Sequence, residues 1–261
     1  MTRPGLYDAR GVTLNRLKDP ALDVLHRVAD EVSQRLAATS EWGFSGRRVG
    51  QYSVDLDVDE GAVAMLIDAG FAVLSEESGR SGDGDRTVVL DPLDGSTNAS
   101  RGIPWFATSL CVVDDDGPAI ALVANQATGE RLEAIRGQGA WIGSRRLAAS
   151  GATSLDGTVV GLNSLPDEPW GWWQSRALGA CALDLGLVAA GSLDAYIDLC
   201  TDLAGPWDYL GGVLLVRESG GAVADAFERD LMALDHEDRR TPIAAGTPEL
   251  LEVLLGYRRP P

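Results

Sequence analysis

The chain of 261 residues contains few of the side chains that build disulfide frameworks and soft metal centres. Its three cysteines, Cys111, Cys181 and Cys200, are too few and too scattered for a disulfide framework, and none forms a CxxC pair typical of zinc or redox sites. The two histidines, His26 and His236, argue against a metal site built from imidazole rings. This composition fits a reducing compartment, and a cytoplasmic location is expected.

Basic residues are also in short supply. The chain has 22 lysines and arginines and 39 acidic residues, which gives a formal net charge of -17. Nucleic acids and anionic membranes are attracted by clustered basic residues, so neither is expected as a partner. Most of the acidic residues are expected to serve solubility alone. An anionic substrate would be repelled unless divalent cations, held by some of these carboxylates, supplied the positive field.

Long apolar runs are missing as well. No segment reaches the length needed to cross a bilayer, and residues 1–10 carry charge and proline rather than the apolar core of a leader peptide.

The hydrophobic pattern predicts a mixed α/β protein with a soft boundary near Ser150. Residues 1–150 are predicted to form an α+β part that binds metal and phosphate, and residues 151–261 a smaller α/β part that supplies Asp208 and the substrate pocket. The alternation of Val54, Leu56 and Val58 is typical of a strand. Helices are predicted over residues 20–38, 59–68, 177–190 and 206–219, and strands over 71–74, 87–90, 108–113, 120–124, 131–135, 158–162 and 195–199.

The most informative segment runs from Asp91 to Ser96. An aspartate at the carboxyl end of a buried strand, a proline expected to end the strand pairing and Asp94 three positions later can turn two carboxylates toward one point. Carboxylate oxygens suit Mg²⁺. The amides of Gly95 and Ser96, at a turn opening a short helix, suit a phosphate oxygen. Taken alone, such a turn is more often a structural loop.

Two further acidic residues are predicted at the ends of elements. Glu76 follows a strand, and its alternative role is that of a solvated loop residue. Asp208 lies in the first turn of a predicted helix, where its alternative role is to compensate the helix dipole. Each observation is weak when considered singly.

Three ordered segments together resemble the inositol monophosphatase family. They are Leu-Ser-Glu-Glu-Ser at 74–78, Asp-Pro-Leu-Asp-Gly-Ser-Thr-Asn at 91–98 followed by Ile-Pro-Trp at 103–105, and Trp-Asp at 207–208 with its trailing glycines. The similarity extends from about residue 22 to residue 221. It implies a layered α-β-α-β-α sandwich with a mainly antiparallel N-terminal sheet and a smaller C-terminal α/β part.

The resemblance also implies roles for individual residues. Two or three Mg²⁺ ions per subunit would be held by Glu76, Asp91, Asp94, Asp208 and the backbone carbonyl of Leu93. Asp91 would bridge metals. With Glu76 at the catalytic centre, Asp59 and Ser96 would orient the attacking water, and the amides of Gly95 and Ser96 would receive the phosphate. Ser96 replaces a common threonine, and the alternative role for Asp59 is a helix N-cap.

By the same resemblance, Gly179, Cys181 and Asp198 line the pocket for the alcohol part of a small phosphate monoester. Cys181 replaces a usual alanine, with an ordinary core residue as the alternative, and Asp198 is shorter than the usual glutamate. These departures weaken the assignment of inositol phosphate and leave fructose 1,6-bisphosphate, histidinol phosphate and nucleotide 3′-phosphates open. Residues 199–207 look longer than in animal-type members and nearer to members that accept both fructose bisphosphate and inositol phosphate.

The expected chemistry is direct attack by water, because the sequence contains neither a GxSxG elbow nor a P-loop. Inhibition by lithium and a homodimeric assembly are implied by the resemblance. A non-catalytic relative that binds metal or phosphate is the alternative from another class. Arg47 and Arg48 are expected at the surface, with closure over phosphate as the alternative. Trp170, Trp172 and Trp173 are expected to pack the interface between the two parts rather than to rim the pocket.

Overall fold

The computed structural model describes residues 19–40, 42–48, 50–167 and 170–258, so the prediction about residues 1–10 lies outside it. Helix α1 (Pro20–Ala38) matches its predicted bounds. Asp19 starts this helix because its side chain accepts a hydrogen bond from the Ala21 amide at 2.8 Å, and Pro20 fits the first turn. The apolar face of α1 is buried through Leu22, Leu25, Val28, Ala29 and Val32.

Helix α2 (Ser53–Asp68) begins earlier than predicted, and the strand over residues 54–58 was wrong. Val54 and Val58 are four positions apart and therefore face the same side of a helix, where both are buried. The Asp55 side chain accepts a hydrogen bond from the Tyr52 amide at 2.8 Å and so starts the helix. The N-cap role for Asp59 is also wrong, because this residue lies inside α2.

A large eight-stranded sheet lies beneath these two helices, in the order β2-β1-β3-β4-β5-β6-β7-β8. Strands β1 and β3 run parallel, and the other neighbouring pairs are antiparallel. The bounds are β1 (Ala72–Ser75), β2 (Gly79–Ser81), β3 (Thr87–Asp94), β4 (Ala107–Asp114), β5 (Gly117–Asn125), β6 (Arg131–Ile135), β7 (Gly139–Ile142) and β8 (Arg145–Arg146).

Pro92 interrupts β3 without ending it, which corrects the prediction that the proline ends the strand pairing. The register with β4 shifts between Asp91 and Asp94, and pairing resumes where Asp94 lies opposite Ala107. Pro92 has no amide hydrogen to donate, but its carbonyl accepts a hydrogen bond from the Thr108 hydroxyl at 3.0 Å. This irregularity places both aspartates near the end of the strand.

The smaller sheet has the order β10-β9-β11-β13-β12. Its strands are β9 (Val159–Leu162), β10 (Gln174–Arg176), β11 (Ala195–Ile197), β12 (Ala222–Asp225) and β13 (Pro242–Ala245). The remaining helices are α3 (Ser96–Ser100), α4 (Cys181–Ala189), α5 (Pro206–Glu218) and α6 (Pro248–Arg258). Helix α4 starts later than predicted because Gly179 has a positive φ of 88° and Ala180 is extended.

The contacts between elements confirm the predicted α-β-α-β-α layers. Helices α1 and α2 cover one face of the large sheet, α4 and α5 lie between the two sheets, and α6 covers the outer face of the small sheet. One apolar cluster lies under α1 and α2, a second surrounds α4 and α5 between the two sheets, and a third lies under α6. The division into residues 1–150 and 151–261 stays a prediction. Within the described residues, no helix combines the length and apolar character needed to span a membrane.

Candidate active site

Three carboxylates from three different elements meet in the space between the large sheet and α5. Glu76 directly follows β1, Asp91 lies in β3, and Asp208 lies in the first turn of α5. One oxygen from each residue lies within 4.8 Å of the others. Strands β1 and β3 are parallel neighbours with Ser75 opposite Leu90, so the residues that follow reach the same edge of the sheet. We call Glu76, Asp91 and Asp208 the acidic cluster.

Backbone hydrogen bonds hold each member of the acidic cluster in place. The amide of Leu93 donates to Asp91 Oδ1 at 2.9 Å, and the amide of Gly205 donates to Asp208 Oδ2 at 2.7 Å. The amide of Glu76 donates to the carbonyl of Leu90 at 3.0 Å. The Leu93 backbone, whose carbonyl is the fifth ligand implied by the resemblance, is buried between the two aspartates of β3. These hydrogen bonds from backbone amides orient the three residues, and each residue keeps a carboxylate oxygen available to bind a metal.

Asp94 lies beside the acidic cluster rather than within it. Its Oδ2 accepts a hydrogen bond from the amide of Ala182 at 2.8 Å, which ties the end of β3 to the first turn of α4. Its charge still acts on the cluster, because it raises the pKa of both Asp91 and Asp208. All four predicted acidic ligands therefore share one electrostatic environment.

The pKa values show that burial and mutual repulsion outweigh the nearby positive charges of Arg48 and Arg239. Burial, followed by repulsion from Asp208, raises the pKa of Glu76 to about 8. Burial also raises the pKa of Asp94 to about 8 and, with repulsion from Asp94, that of Asp208 to about 7. Burial and repulsion from Glu76 raise the pKa of Asp91 well above its ordinary value. A cation would relieve this repulsion, and an all-oxygen donor set fits Mg²⁺ or a similar hard ion.

The predicted phosphate turn lies at the start of α3. Gly95 has a φ of 83°, and an added Cβ would lie 3.0 Å from the carbonyl oxygen of Trp105, so this position requires glycine. Asn98 donates from Nδ2 to the carbonyls of Trp105 and Leu178, both at 2.8 Å. The turn is thus fixed against the segment that precedes α4. The first amides of α3, including that of Ser96, begin a helix and have no intrahelical acceptor.

Asp59 is buried on α2 and accepts a hydrogen bond from the hydroxyl of Ser75, next to Glu76. A second hydrogen bond comes from Ser78. Burial raises the pKa of Asp59. Across the described residues, no direct hydrogen bond joins Asp59 to Ser96. Asp59 and Ser96, the two residues predicted to orient the attacking water, lie in separate elements, α2 and α3.

The three residues predicted to line the substrate pocket lie close to these groups. A Cβ added at Gly179 would lie 3.2 Å from Nδ2 of Asn98, and Cys181 begins α4. Burial, together with the charges of Asp208 and Asp94, raises the pKa of the Cys181 thiol. Cys181 is half-buried and packs against the apolar cluster between the two sheets, so its place in the substrate pocket stays a prediction, with a core residue as the alternative.

Asp198, the third predicted pocket residue, is buried after the end of β11. Its Oδ1 accepts hydrogen bonds from the Asn163 side chain and from the amide of Cys200, the latter at 2.8 Å. Asn163 in turn accepts from the amide of Leu199 at 2.8 Å. Asn163 was not predicted as a site residue, because it follows β9 in an irregular segment far from Asp198 in the chain.

Arg48 lies at the surface, as expected, and also reaches the acidic cluster. Its Nη2 lies 2.8 Å from Glu77 Oε2 and 3.4 Å from Glu76 Oε1, although its side chain remains 43% exposed. Arg48 thus places one positive charge against a member of the acidic cluster. Arg47 is exposed, as expected, and helps to line an open cavity of about 470 Å³ that also includes Asp59 and Glu77.

The tryptophans divide into two groups. Trp170 stacks on Tyr257 with ring centroids 4.9 Å apart and lies 5.7 Å from Trp172. Both tryptophans pack against the apolar cluster beneath α6. They are therefore packed, as expected, but on the outer face of the small sheet and not at the interface between the two parts. Trp173 is 68% exposed, so the expectation of packing was wrong for this residue.

The comparisons with known proteins agree with the geometry. A family model described as the inositol monophosphatase family matches residues 57–260. The chain is 31% identical to Nus factor SuhB of Escherichia coli over 265 residues, covering 92% of this chain and 96% of that protein. It is 34% identical over 227 residues to a fructose-1,6-bisphosphatase/inositol-1-monophosphatase of Methanothermobacter thermautotrophicus, covering 77% and 81% respectively.

A solved structure shows the same architecture. The crystal structure of extragenic suppressor protein suhB from Bartonella henselae matches with a TM-score of 0.76 at 26% identity, covering 92% of this chain and 98% of that one. The family model, the aligned relatives and the shared fold lead to one conclusion: this chain belongs to the inositol monophosphatase family.

Proposed function

We propose that this protein is a Mg²⁺-dependent phosphatase that hydrolyses a small phosphate monoester, with an inositol monophosphate as the first candidate substrate. The observation that carries the proposal is the convergence of oxygens from Glu76, Asp91 and Asp208 within 4.8 Å. The glycine turn at Gly95 supports it, because it supplies amides for an anion. Family membership supports the same reaction class.

In the proposed reaction, Glu76, Asp91, Asp94 and Asp208 hold Mg²⁺, together with the Leu93 carbonyl. When bound, Mg²⁺ supplies positive charge that neutralises phosphate oxygens and lowers the pKa of a water molecule. Asp59 and Ser96 orient the attacking water, and the amides of Gly95 and Ser96 bind the phosphate. No side chain acts as a nucleophile in this scheme.

The choice of substrate depends on the pocket for the alcohol. Gly179, Cys181 and Asp198 are proposed to contact the substrate hydroxyls. One relative is named for both fructose-1,6-bisphosphatase and inositol-1-monophosphatase activity, so fructose 1,6-bisphosphate is the second candidate. Histidinol phosphate and nucleotide 3′-phosphates follow as members of the same reaction class.

A function of another class is a non-catalytic role in which the protein binds metal or phosphate without turnover. The relatives named Nus factor SuhB support this alternative, because that name describes a factor rather than a hydrolase. We favour catalysis, because every predicted ligand position holds a suitable oxygen donor.

The remaining expectations are proposals that follow from the family and the composition. We propose a cytoplasmic homodimer that is inhibited by lithium, with neither nucleic acid nor membrane as a partner. The excess of acidic residues supports the last two points.

The test is phosphate release from a panel of esters at equal concentration, with Mg²⁺ or with EDTA. The panel contains myo-inositol 1-phosphate, fructose 1,6-bisphosphate, histidinol phosphate and a nucleotide 3′-phosphate. We expect Mg²⁺-dependent turnover, highest for one of the first two, and we expect Asp91→Asn to reduce it to background while remaining folded. No phosphate release from any ester of the panel, with either Mg²⁺ or Mn²⁺, would support the non-catalytic alternative. Full activity of Asp91→Asn would overturn the assignment of the metal site.

A further inference from the structure

An irregular segment, residues 226–241, connects β12 to β13 and leaves the small sheet to contact the large one. We call it the crossing segment. The hydroxyl of Tyr209 on α5 donates to the carbonyl of Leu231 at 3.0 Å, and Arg80 Nη2 on β2 donates to the carbonyl of Leu234 at 3.0 Å. The segment returns through Arg240, whose amide donates to the carbonyl of Ala204 at 2.9 Å. The crossing segment is therefore hydrogen-bonded to α5, which carries Asp208, and to β2, the strand that follows Glu76.

At the middle of the crossing segment, His236 contacts the backbone of a predicted metal ligand. Its Nε2 lies 3.0 Å from the carbonyl oxygen of Glu76. A carbonyl oxygen can only accept, so this contact assigns the hydrogen to Nε2. Glu76 lies just beyond the last paired residue of β1, so the strand ladder ends before it. His236 thus fixes the backbone of Glu76 on its carbonyl side, while Leu90 fixes it on its amide side.

The same segment contacts the neighbour of a second ligand. The rings of His236 and Trp207 are 5.0 Å apart, and the Arg239 guanidinium lies 5.1 Å from the centre of the Trp207 ring. Arg239 Nη1 also donates to the carbonyl of His236 at 2.9 Å. Trp207 directly precedes Asp208, and the charge of Arg239 opposes the rise in the pKa of Asp208.

We propose that His236 is a positioning residue for the metal site. Through its Nε2–H it holds the Glu76 backbone so that the Glu76 carboxylate stays in register with Asp91 and Asp208. Metal affinity depends on such outer contacts because they orient the groups that bind the ion. The donor is present in the neutral Nε2–H tautomer and in the protonated ring, so the role does not require titration. This inference rests on the proposed function.

The test measures Mg²⁺ binding to the substrate-free protein by isothermal titration calorimetry. His236→Phe retains an aromatic ring beside Trp207 but lacks the donor, and His236→Gln restores an N–H group. We expect His236→Phe to bind Mg²⁺ about tenfold more weakly and His236→Gln to recover most of the loss. The matched control is His26→Phe on α1, where the imidazole contacts Arg131 and Glu133 instead. It should bind Mg²⁺ like the unaltered protein.

A second measurement requires no substitution. The chain has two histidines, so ¹⁵N-histidine NMR of the unaltered protein gives a simple spectrum. We expect His236 as the Nε2–H tautomer, with signals that shift on addition of Mg²⁺ while those of His26 stay unchanged.

The positioning role would be overturned if His236→Phe bound Mg²⁺ as tightly as the unaltered protein, or if His236→Gln bound it as weakly as His236→Phe. It would also be overturned if the NMR signals of His236 did not shift on addition of Mg²⁺. Failure of the proposed function is distinguishable. In that case the unaltered protein would not bind Mg²⁺, or Asp91→Asn would bind it equally well.

Discussion

The carboxylate of Asp94 accepts a hydrogen bond from the amide of Ala182 at 2.8 Å, so a residue at the end of β3 caps the first turn of α4. Helix α4 has no capping side chain of its own, because its N-cap residue is Ala180. One carboxylate therefore serves both the proposed metal site and the packing of α4 against the large sheet.

Two substitutions should separate these roles of Asp94. Both Asp94→Asn and Asp94→Ala remove the charge and should reduce phosphate release to background. Only Asn retains an oxygen that accepts from Ala182, so Asp94→Ala should be less stable than Asp94→Asn by about 1 kcal/mol. Urea denaturation in EDTA measures this difference without any contribution from metal. Equal stabilities would show that the hydrogen bond does not cap α4.

The raised pKa values predict how stability varies with pH in EDTA. In the folded protein the pKa values are about 8 for Glu76, about 8 for Asp94 and about 7 for Asp208, whereas unfolded carboxyls titrate near about 4. The folded state therefore binds more protons in this range. The stability that these three groups contribute should be fully present below the unfolded pKa values and should be lost as the pH rises through about 7 to 8.

Bound Mg²⁺ should remove most of this loss, because the ion replaces the protons between the carboxylates. The increase in melting temperature caused by Mg²⁺ should thus be larger at about pH 8.5 than at about pH 6. Thermal unfolding across this range, with EDTA or with Mg²⁺, measures both effects. Asp208→Asn provides a control with a flatter profile. A metal-free protein whose stability rises toward pH 8.5 would contradict the prediction.

Arg48 provides a prediction about charge near the acidic cluster. Arg48→Gln removes the cation that lies 3.4 Å from Glu76, so Mg²⁺ should bind about twofold to fivefold more tightly at low salt. The stability should change by less than about 0.5 kcal/mol, because the ion pair is partly exposed. Calorimetry at low and high salt measures the affinity.

Arg47→Gln is the matched control for Arg48, because it removes the same charge from the adjacent position. It should affect Mg²⁺ binding less. Weaker binding in Arg48→Gln, or equal effects of the two substitutions, would show that the contact with Glu76 is not responsible.

Two glycines test the geometry of the phosphate turn. Gly95 and Gly102 both have positive φ, but an added Cβ meets the Trp105 carbonyl at 3.0 Å only at Gly95, and nothing lies within 4 Å at Gly102. Gly102→Ala should lose about 1 kcal/mol from backbone strain, and Gly95→Ala about 2–4 kcal/mol because crowding is added. Denaturation curves give both values. Similar losses would mean that the turn can relax around a methyl group.

Much of the fold followed from local patterns. Helix α1 and strand β6 have the predicted bounds because their apolar periods are regular. The period near Val54 and Val58 was misleading, since residues four apart satisfy a strand and a helix alike. The Asp55 cap, which decides in favour of the helix, was not recognised in the sequence.

The residues of the candidate site also fall into two groups, those that sequence patterns indicated and those that they did not. Glu76, Asp91 and Asp208 were candidates because each lies near the end of a regular element, but the resemblance to the family was needed to join them into one site. Arg48, Asn163 and His236 could not be assigned to the site in this way. They lie in irregular segments, where no periodicity indicates which part of the molecule a side chain will reach. Their places depend on long-range contacts such as that between His236 and Glu76.

The arrangement of α5 between the two sheets has a consequence for biosynthesis. A chain that has left the ribosome only as far as β8 already carries Glu76 and Asp91, but the third oxygen arrives when α5 docks. Divalent-ion capture would therefore be among the last events of folding, and a truncated product would fail to retain the ion. Ion retention would then distinguish finished molecules from partly folded ones.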